Sequence, residues 1–164
     1  MKQKLHSLLL MVVLLSWSMV IAASDFDDGI LKYTITSPSN LEVRCDGLNT
    51  EHWNDEDVSI PSTVNYNNKT YTVTTVGCNG SITPGVYSTS FSKNLKSILL
   101  PNSIVQINHH CFYECHKLME INIPNSVTTI EYSAFSDCDL ASLVMPESVK
   151  KIGGSAFSNN RHLM

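Results

Sequence analysis

The stretch that decides the fold is residues 124–138, PNSVTTIEYSAFSDC, because two other parts of the chain repeat it in register. Residues 101–115 read PNSIVQINHHCFYEC, and residues 146–160 read PESVKKIGGSAFSNN. Successive prolines lie 23 and 22 residues apart (124 − 101 and 146 − 124). A repeat of this length predicts a solenoid, in which each coil buries its apolar side only against its neighbours. Such a fold offers an extended surface rather than a built-in pocket, so it favours binding over catalysis.

Each repeat contains two extended pieces and a turn. The first piece has the same apolar pattern at 95–100, 118–123 and 140–145, and its period of two predicts a strand that a proline ends. A second, shorter extended piece follows. A tight turn or short 3-10 piece then carries a phenylalanine at position 112, 135 or 157. Stacking the repeats predicts a parallel sheet of short strands, with Phe112, Phe135 and Phe157 stacked on the opposite wall.

Residues 24–76 predict an antiparallel β cap ahead of the repeats. Residues 30–36 are rich in β-formers, and the alternation of Leu41, Val43 and Cys45 indicates a returning strand. Asn67 and Asn68 tolerate the positive φ of a two-residue hairpin turn. Residues 58–61 and 73–76 echo the repeat pattern of 121–124 and 127–130. A solenoid needs such a cap because its first coil would otherwise expose apolar surface.

The region 77–94 predicts an inserted loop and the turn of a degenerate first repeat. Nineteen steps separate Val76 from Leu95, whereas eleven separate Ile107 from Leu118 (95 − 76 and 118 − 107). The insertion contains glycine and proline, which is typical of a surface loop. The insertion is either a projection that contacts a ligand or the result of simple sequence drift in a degenerate first repeat. Residues 95–164 are then the repeats, of which the last is incomplete.

The first 23 residues predict a cleaved export signal. Lys2 and Lys4 precede an apolar run, and small residues end at Ala23. The apolar stretch 8–23 is short for a membrane anchor, so we expect no membrane span after cleavage. The net charge of −4 comes without a basic cluster, which argues against a nucleic-acid partner.

Five cysteines follow the signal, an odd number for an exported chain. Cys111 takes the place that Ala134 and Ala156 have in the other repeats, which predicts a small buried side chain. Cys115 and Cys138 share a position with Asn160, which predicts a slot facing the interior of the turn. Cys45 and Cys78 lie outside this scheme, and a bridge between them is one alternative.

The cluster of His109, His110, Cys111, Cys115 and His116 is the one candidate for metal or thiol chemistry. Zinc requires about four converging ligands, and a thiol nucleophile requires an exposed thiolate. The register instead places both cysteines inward and His109 and His116 toward solvent. The sequence therefore predicts no metal, no cofactor and no catalytic residue.

Residues 123–138, together with the stretch 60–73, resemble the BspA-like leucine-rich repeats of bacterial and protozoan surface proteins. The resemblance covers 58–163. It implies a leucine-rich-repeat solenoid, exported and surface-associated, with adhesion or host-protein binding and no catalytic residues. The chain departs from the family in the loop at 77–90 and in lacking a strand after Leu163. That second departure predicts an open edge able to pair with another chain.

The outward side of the first extended piece is the candidate binding surface. It carries a small, mixed and nearly neutral set of residues, and the loop adds an aromatic one: Ser97, Leu99, Glu120, Asn122, Ser142, Val144 and Tyr87. We expect this surface to engage an extracellular or host protein. The alternative is that these are ordinary solvent-facing residues. A different class of function is structural, with self-association through the C-terminal coil. Glycan binding is a third, for which the face has few aromatic residues.

Overall fold

The structure is a computed structural model that describes residues 25–78 and 90–164. The expected export signal, the loop 79–89 and Tyr87 lie outside the described residues. The elements are all strands: β1 Asp25–Asp27, β2 Leu31–Ser37, β3 Glu42–Leu48, β4 Asp57–Ser59, β5 Thr63–Tyr66, β6 Lys69–Val76, β7 Ser97–Leu99, β8 Gln106–Ile107, β9 Thr129–Ile130 and β10 Lys151–Ile152. Within the described ranges no helix forms.

One sheet joins the N-terminal strands to the repeats. Its order is β1-β2-β3-β6-β8-β9-β10, with β5 paired to β6. The pairs β1–β2 and β2–β3 are antiparallel, and every pair from β3 to β10 along this order is parallel. Val76, Ile107 and Ile130 are successive partners, and Ile130 pairs in turn with Ile152. The predicted strand-dominated solenoid is confirmed, and residues 73–76 lie in repeat register.

The hairpin before the repeats has the predicted turn. Strands β5 and β6 pair antiparallel, with Tyr66 opposite Lys69. Asn67 and Asn68 between them have φ values of 48° and 58°, as a two-residue turn of this kind requires. This turn brings β6 back along the sheet, where β8 adds to it.

The phenylalanines stack as predicted, and the stack includes one more ring. Centroids are 5.1 Å apart for Phe91 and Phe112, 5.0 Å for Phe112 and Phe135, and 5.2 Å for Phe135 and Phe157. The first three rings are fully buried, and Phe157 is half-buried. The stack therefore fills one wall of the core along the solenoid axis.

The alternation in the first extended piece predicted that the parallel sheet of the repeats would form there. The sheet instead forms mainly on the second extended piece, at β8, β9 and β10, which corrects that expectation. In the first piece only Ser97–Leu99 is a strand, paired in parallel with Asp57–Ser59. Among the backbone bonds that the structure describes, a single one, from the Ala141 N–H to the Met119 carbonyl (2.9 Å), joins segments 119–123 and 141–145. A proline follows each of these segments, but one also follows β4 and β7, so the proline alone does not decide where the ladder forms.

Backbone bonds hold the coils together at the turns as well as at the sheet. The N–H groups of His110, Phe112 and Glu114 donate to carbonyls of the next coil at 3.1, 2.8 and 3.0 Å. Two residues in each turn have positive φ without being glycine: His110 and Glu114, Ser133 and Asp137, Ser155 and Asn159. These are tight turns; in the described part of the chain no 3-10 helix forms.

The slot shared by Cys115, Cys138 and Asn160 faces the interior, as predicted. Each side chain donates to the carbonyl of a phenylalanine in the coil before it: Cys115 Sγ to Phe91, Cys138 Sγ to Phe112 and Asn160 Nδ2 to Phe135, at 3.9, 3.0 and 2.7 Å. Cys111 is buried like Ala134 and Ala156. Cys45 and Cys78 are both thiols, so the bridge considered between them is not formed.

Candidate binding surface

The structure brings the six described candidate residues to one face of the solenoid. In segments 97–99 and 120–122 the outer residues are exposed and the central isoleucine is buried, while 142–144 repeats the pattern around a half-buried Leu143. Leu99 is 62% exposed and Val144 84%. The predicted alternation therefore holds even where the backbone ladder does not.

These residues surround a shallow depression of about 310 Å³. Its lining includes Ser97, Glu120, Asn122, Ser142 and Val144. Leu99 lies beside it, in a second depression between β4 and β7. The face thus offers two hydroxyls, an amide and a carboxylate beside aliphatic side chains.

One of the hydroxyls already has a partner. Ser97 Oγ donates to Asp57 Oδ1 at 2.6 Å, across the pair of strands β4 and β7. Asp57 therefore belongs to the surface, although sequence reasoning did not select it. Its position is recognisable, because residues 58–61 echo the repeat and Asp57 falls where Ser97 and Glu120 fall.

A larger depression lies beside this face, and the sequence analysis did not predict it. It has a volume of about 690 Å³, and its lining includes Lys96, Lys117, Met119, Glu120 and Ala141. Met119 is 57% exposed although it is a large apolar residue. The signal was available in the sequence, since Lys96, Met119 and Ala141 each directly follow a buried leucine of the first extended piece.

Two lysines at this depression share one carboxylate. Glu56 lies 2.5 Å from Lys96 Nζ and 4.0 Å from Lys117 Nζ. The hydrogen bond that Lys96 Nζ donates to the Glu56 carboxylate raises the pKa of Lys96, which favours its charged form. Exposed pairs of this kind contribute little to stability. Their charges instead remain accessible to a ligand.

The histidine and cysteine cluster does not form a site. His116 is exposed, with Nδ1 at 2.9 Å from the Asp137 carbonyl, whereas His110 is buried edge-on against Tyr113 and Tyr132. His109 is half-buried, with Nε2 at 3.9 Å from Glu131 Oε2. Among the described residues no group of three or more potential ligands converges on a metal position.

The thiols of this cluster are placed for packing rather than chemistry. Burial raises the pKa of Cys111 and of Cys115 well above the ordinary thiol range. A thiol needs a lowered pKa and access to solvent to act as a nucleophile. The geometry therefore offers no activated thiolate here.

No apolar helix of membrane-spanning length occurs in residues 25–78 or 90–164.

Solved structures share this fold. A leucine-rich repeat protein from Bacteroides ovatus is 27% identical, with a TM-score of 0.63 over 85% of this chain and 40% of that chain. A leucine-rich repeat protein from Bacteroides capillosus is 21% identical, with a TM-score of 0.69 over 85% of this chain and 96% of that one. A T. pallidum leucine-rich repeat protein is 22% identical, with a TM-score of 0.61 over 85% and 69% of the two chains.

The sequence itself matches a family description. The BspA type leucine-rich repeat region matches residues 81–164 in six copies, which is half of the chain. No curated protein is significantly similar to the chain. The chain spans 40% of the length of the Bacteroides ovatus protein, so the activity of that whole protein is not carried over. From the repeat match and the solenoid that carries it, the chain belongs to the BspA-type leucine-rich repeat family.

Proposed function

We propose that this protein is a binding protein of the cell exterior, adhesin-like, that engages a protein partner through the outward face at 97–99, 120–122 and 142–144. The observation that carries the proposal is the row of exposed side chains that this face repeats from coil to coil, aliphatic at Leu99 and Val144 and polar between them. Solenoids present such extended surfaces to other macromolecules. Membership of a repeat family of surface proteins supports the same reading.

Location outside the cytoplasm is part of this proposal. It is supported by the charged start and apolar run within residues 1–23, which have the pattern of an export signal. Detection of the mature N-terminus near residue 24 in the extracellular or surface fraction of the producing cell tests it. A product that keeps residues 1–23 in the cytosolic fraction contradicts it.

The test of the binding face is a triple substitution, Ser97→Lys, Asn122→Lys and Ser142→Lys. All three positions are exposed, so the change adds three charges without opening the core. The matched control is Thr72→Lys, Asn102→Lys and Asn125→Lys, which adds the same charge at exposed positions outside segments 97–99, 120–122 and 142–144.

A partner is first identified by cross-linking the protein to purified extracellular matrix components and to neighbouring-cell surfaces. Binding of that partner is then measured for both variants by surface plasmon resonance. We expect at least a tenfold loss of affinity for the face variant and near-native affinity for the control. Native binding by the face variant would reject the face as the site.

A second candidate function is assembly. The edge of β10 pairs only with β9 among the described strands, and Ile152 is half exposed there. Such an edge accepts any strand of matching register, whether from a further coil or from another chain. Sedimentation over a hundredfold dilution series separates the candidates, since assembly predicts concentration-dependent oligomers and simple binding predicts a constant monomer.

A further inference from the structure

The depression beside Met119 exists because one repeat position carries a shorter side chain in each successive coil. Lys96, Met119 and Ala141 occupy this position in three consecutive coils. The methyl group of Ala141 fills little of the space that Met119 fills one coil earlier, and Ser142 beside it is also small. The result is an open volume of about 690 Å³ with an apolar floor formed by Met119 and Ala141.

The floor is held by backbone contact. The Ala141 N–H donates to the Met119 carbonyl at 2.9 Å, so these two residues keep their spacing. Leu118 and Leu140, which precede them, are fully buried. A ligand would therefore find this hollow already formed, which lowers the entropic cost of binding.

The charges around the hollow are separated. At one end the lining includes Lys96 and Lys117, whose ammonium groups lie 2.5 and 4.0 Å from the carboxylate of Glu56. On another wall Glu120 is exposed and forms no ion pair with any described residue. Asp139 is already paired, with Oδ1 at 2.7 Å from His162 Nδ1. The hollow thus has a basic end, an apolar floor and an acidic wall.

Building on the function proposed above, we propose that this hollow takes an extended segment of the protein partner in which an apolar side chain is flanked by an acidic and a basic one. In an extended segment, side chains two residues apart lie on the same face, so the motif is acid-x-apolar-x-base. The apolar side chain rests on Met119 and Ala141, the acid meets Lys96 and Lys117, and the base meets Glu120.

The chemistry of the lining disfavours other classes of ligand. A polyanion such as nucleic acid would meet the carboxylates of Glu120 and Asp139. A sugar would find no phenylalanine, tyrosine or tryptophan ring among the described residues that line the hollow. The combination of an apolar anchor with a charged rim is instead typical of protein recognition.

The probe is a capped peptide with the order Gly-Asp-Ser-Leu-Ser-Lys-Gly, added to protein labelled with ¹³C at its methionine methyl groups. The Met119 methyl signal is identified by its loss in Met119→Leu. We expect this signal to shift progressively with a dissociation constant in the millimolar range. Replacing the leucine of the peptide by serine should abolish the shift, and replacing either charged residue by serine should weaken binding about two- to fivefold.

Variants of the protein provide the matched tests. Ala141→Leu fills the hollow from an outward position and should abolish the shift, whereas Lys96→Gln should weaken binding about two- to fivefold. Lys150→Gln, an exposed lysine next to β10, should bind as the native protein does. An unmoved Met119 signal, or an equal shift with the leucine-free peptide, overturns the inference.

Failure of this inference is distinguishable from failure of the proposed function. If the peptide leaves Met119 unmoved while the lysine triple variant still loses its cross-linked partner, the face binds but this hollow is not the anchor. If the triple variant binds its partner normally, the proposed face itself is rejected.

Discussion

Substitution of Phe135 by alanine should destabilise the protein strongly, and more than the same substitution at Phe157. Its ring is fully buried and has a ring on each side, at 5.0 Å from Phe112 and 5.2 Å from Phe157. Phenylalanine-to-alanine changes in a core cost about 3–5 kcal/mol. Each stacked pair adds about 0.5–1.5 kcal/mol beyond burial. We therefore expect a loss near the upper end of that range, about 4–5 kcal/mol.

The matched control is Phe157→Ala. Phe157 is half-buried and stacks on a single ring within the described residues, so we expect about half that loss, roughly 2 kcal/mol. Stability in a solenoid is the sum of repeat terms and nearest-neighbour interfaces, and the inner ring takes part in two interfaces. The ratio of the two losses in unfolding free energy therefore tests the stacked-coil arrangement rather than hydrophobicity alone.

Urea unfolding followed by far-ultraviolet circular dichroism measures both losses. With a slope of about 2 kcal/mol per molar urea, Phe135→Ala should lower the midpoint by about 2 M and Phe157→Ala by about 1 M. If Phe135→Ala does not fold, Phe135→Leu replaces it, with an expected cost of about 1–1.5 kcal/mol. An equal or larger loss for Phe157→Ala would refute the reasoning.

Three further predictions concern the turns between coils. Burial lowers the pKa of His110, with His109 as a secondary cause, so the unfolded chain takes up the proton more readily than the folded protein. The stability that His110 contributes should be full above about pH 6.5 and should fall as the pH drops through that value. His110→Asn should therefore flatten the decline of the unfolding midpoint between pH 7 and 5. Cys138→Ala should lose about 1–2 kcal/mol in the same urea assay while Cys138→Asn loses less, because an amide can donate to the phenylalanine carbonyl as Asn160 does. Gly153→Ala should destabilise by about 1–3 kcal/mol because its Cβ would lie 2.4 Å from the Tyr132 backbone nitrogen, whereas Gly154→Ala, with its nearest contact at 3.5 Å, should be nearly neutral in thermal unfolding.

The parts of the fold predictable from the sequence are those that depend on periodic burial. Phe112, Phe135 and Phe157 recur at the repeat length, and rings at one repeat position must stack if the coils stack. The Asn67-Asn68 turn was predictable for a different reason, because only a few residue types accept two successive positive φ values. In both cases a local residue type decides the structure by itself.

The position of the parallel ladder could not be read in the same way. Alternation at 118–123 reports which side chains are buried, and the structure confirms this with Ile121 inside and Asn122 outside. Backbone pairing depends instead on the distance between coils at that point, which no side-chain pattern records. The positive φ values at Ser133 and Asp137 were hidden for a related reason, because neither residue is a glycine.

The candidate surface also has a part that the sequence predicts and a part that it does not. The six outward residues followed from burial, but the hollow beside them depends on a difference between coils, the step from Met119 to Ala141. Repeats are recognised from the positions that the coils share, so positions that vary between coils are not selected. In a solenoid the shared positions form the core, and the varying outward positions are the ones that can differ between family members without loss of fold.

This division determines where a specific ligand can be recognised. The slot residues Cys138 and Asn160 differ in type yet make the same bond to a phenylalanine carbonyl, so variation there leaves the coil spacing intact. Variation from Lys96 to Met119 to Ala141 changes shape and charge at the surface while the preceding leucines stay buried. Because the backbone frame is fixed by the sheet and the turns, such outward changes alter the surface without altering the scaffold. The specificity of this protein is therefore expected to reside in the residues that break the repeat.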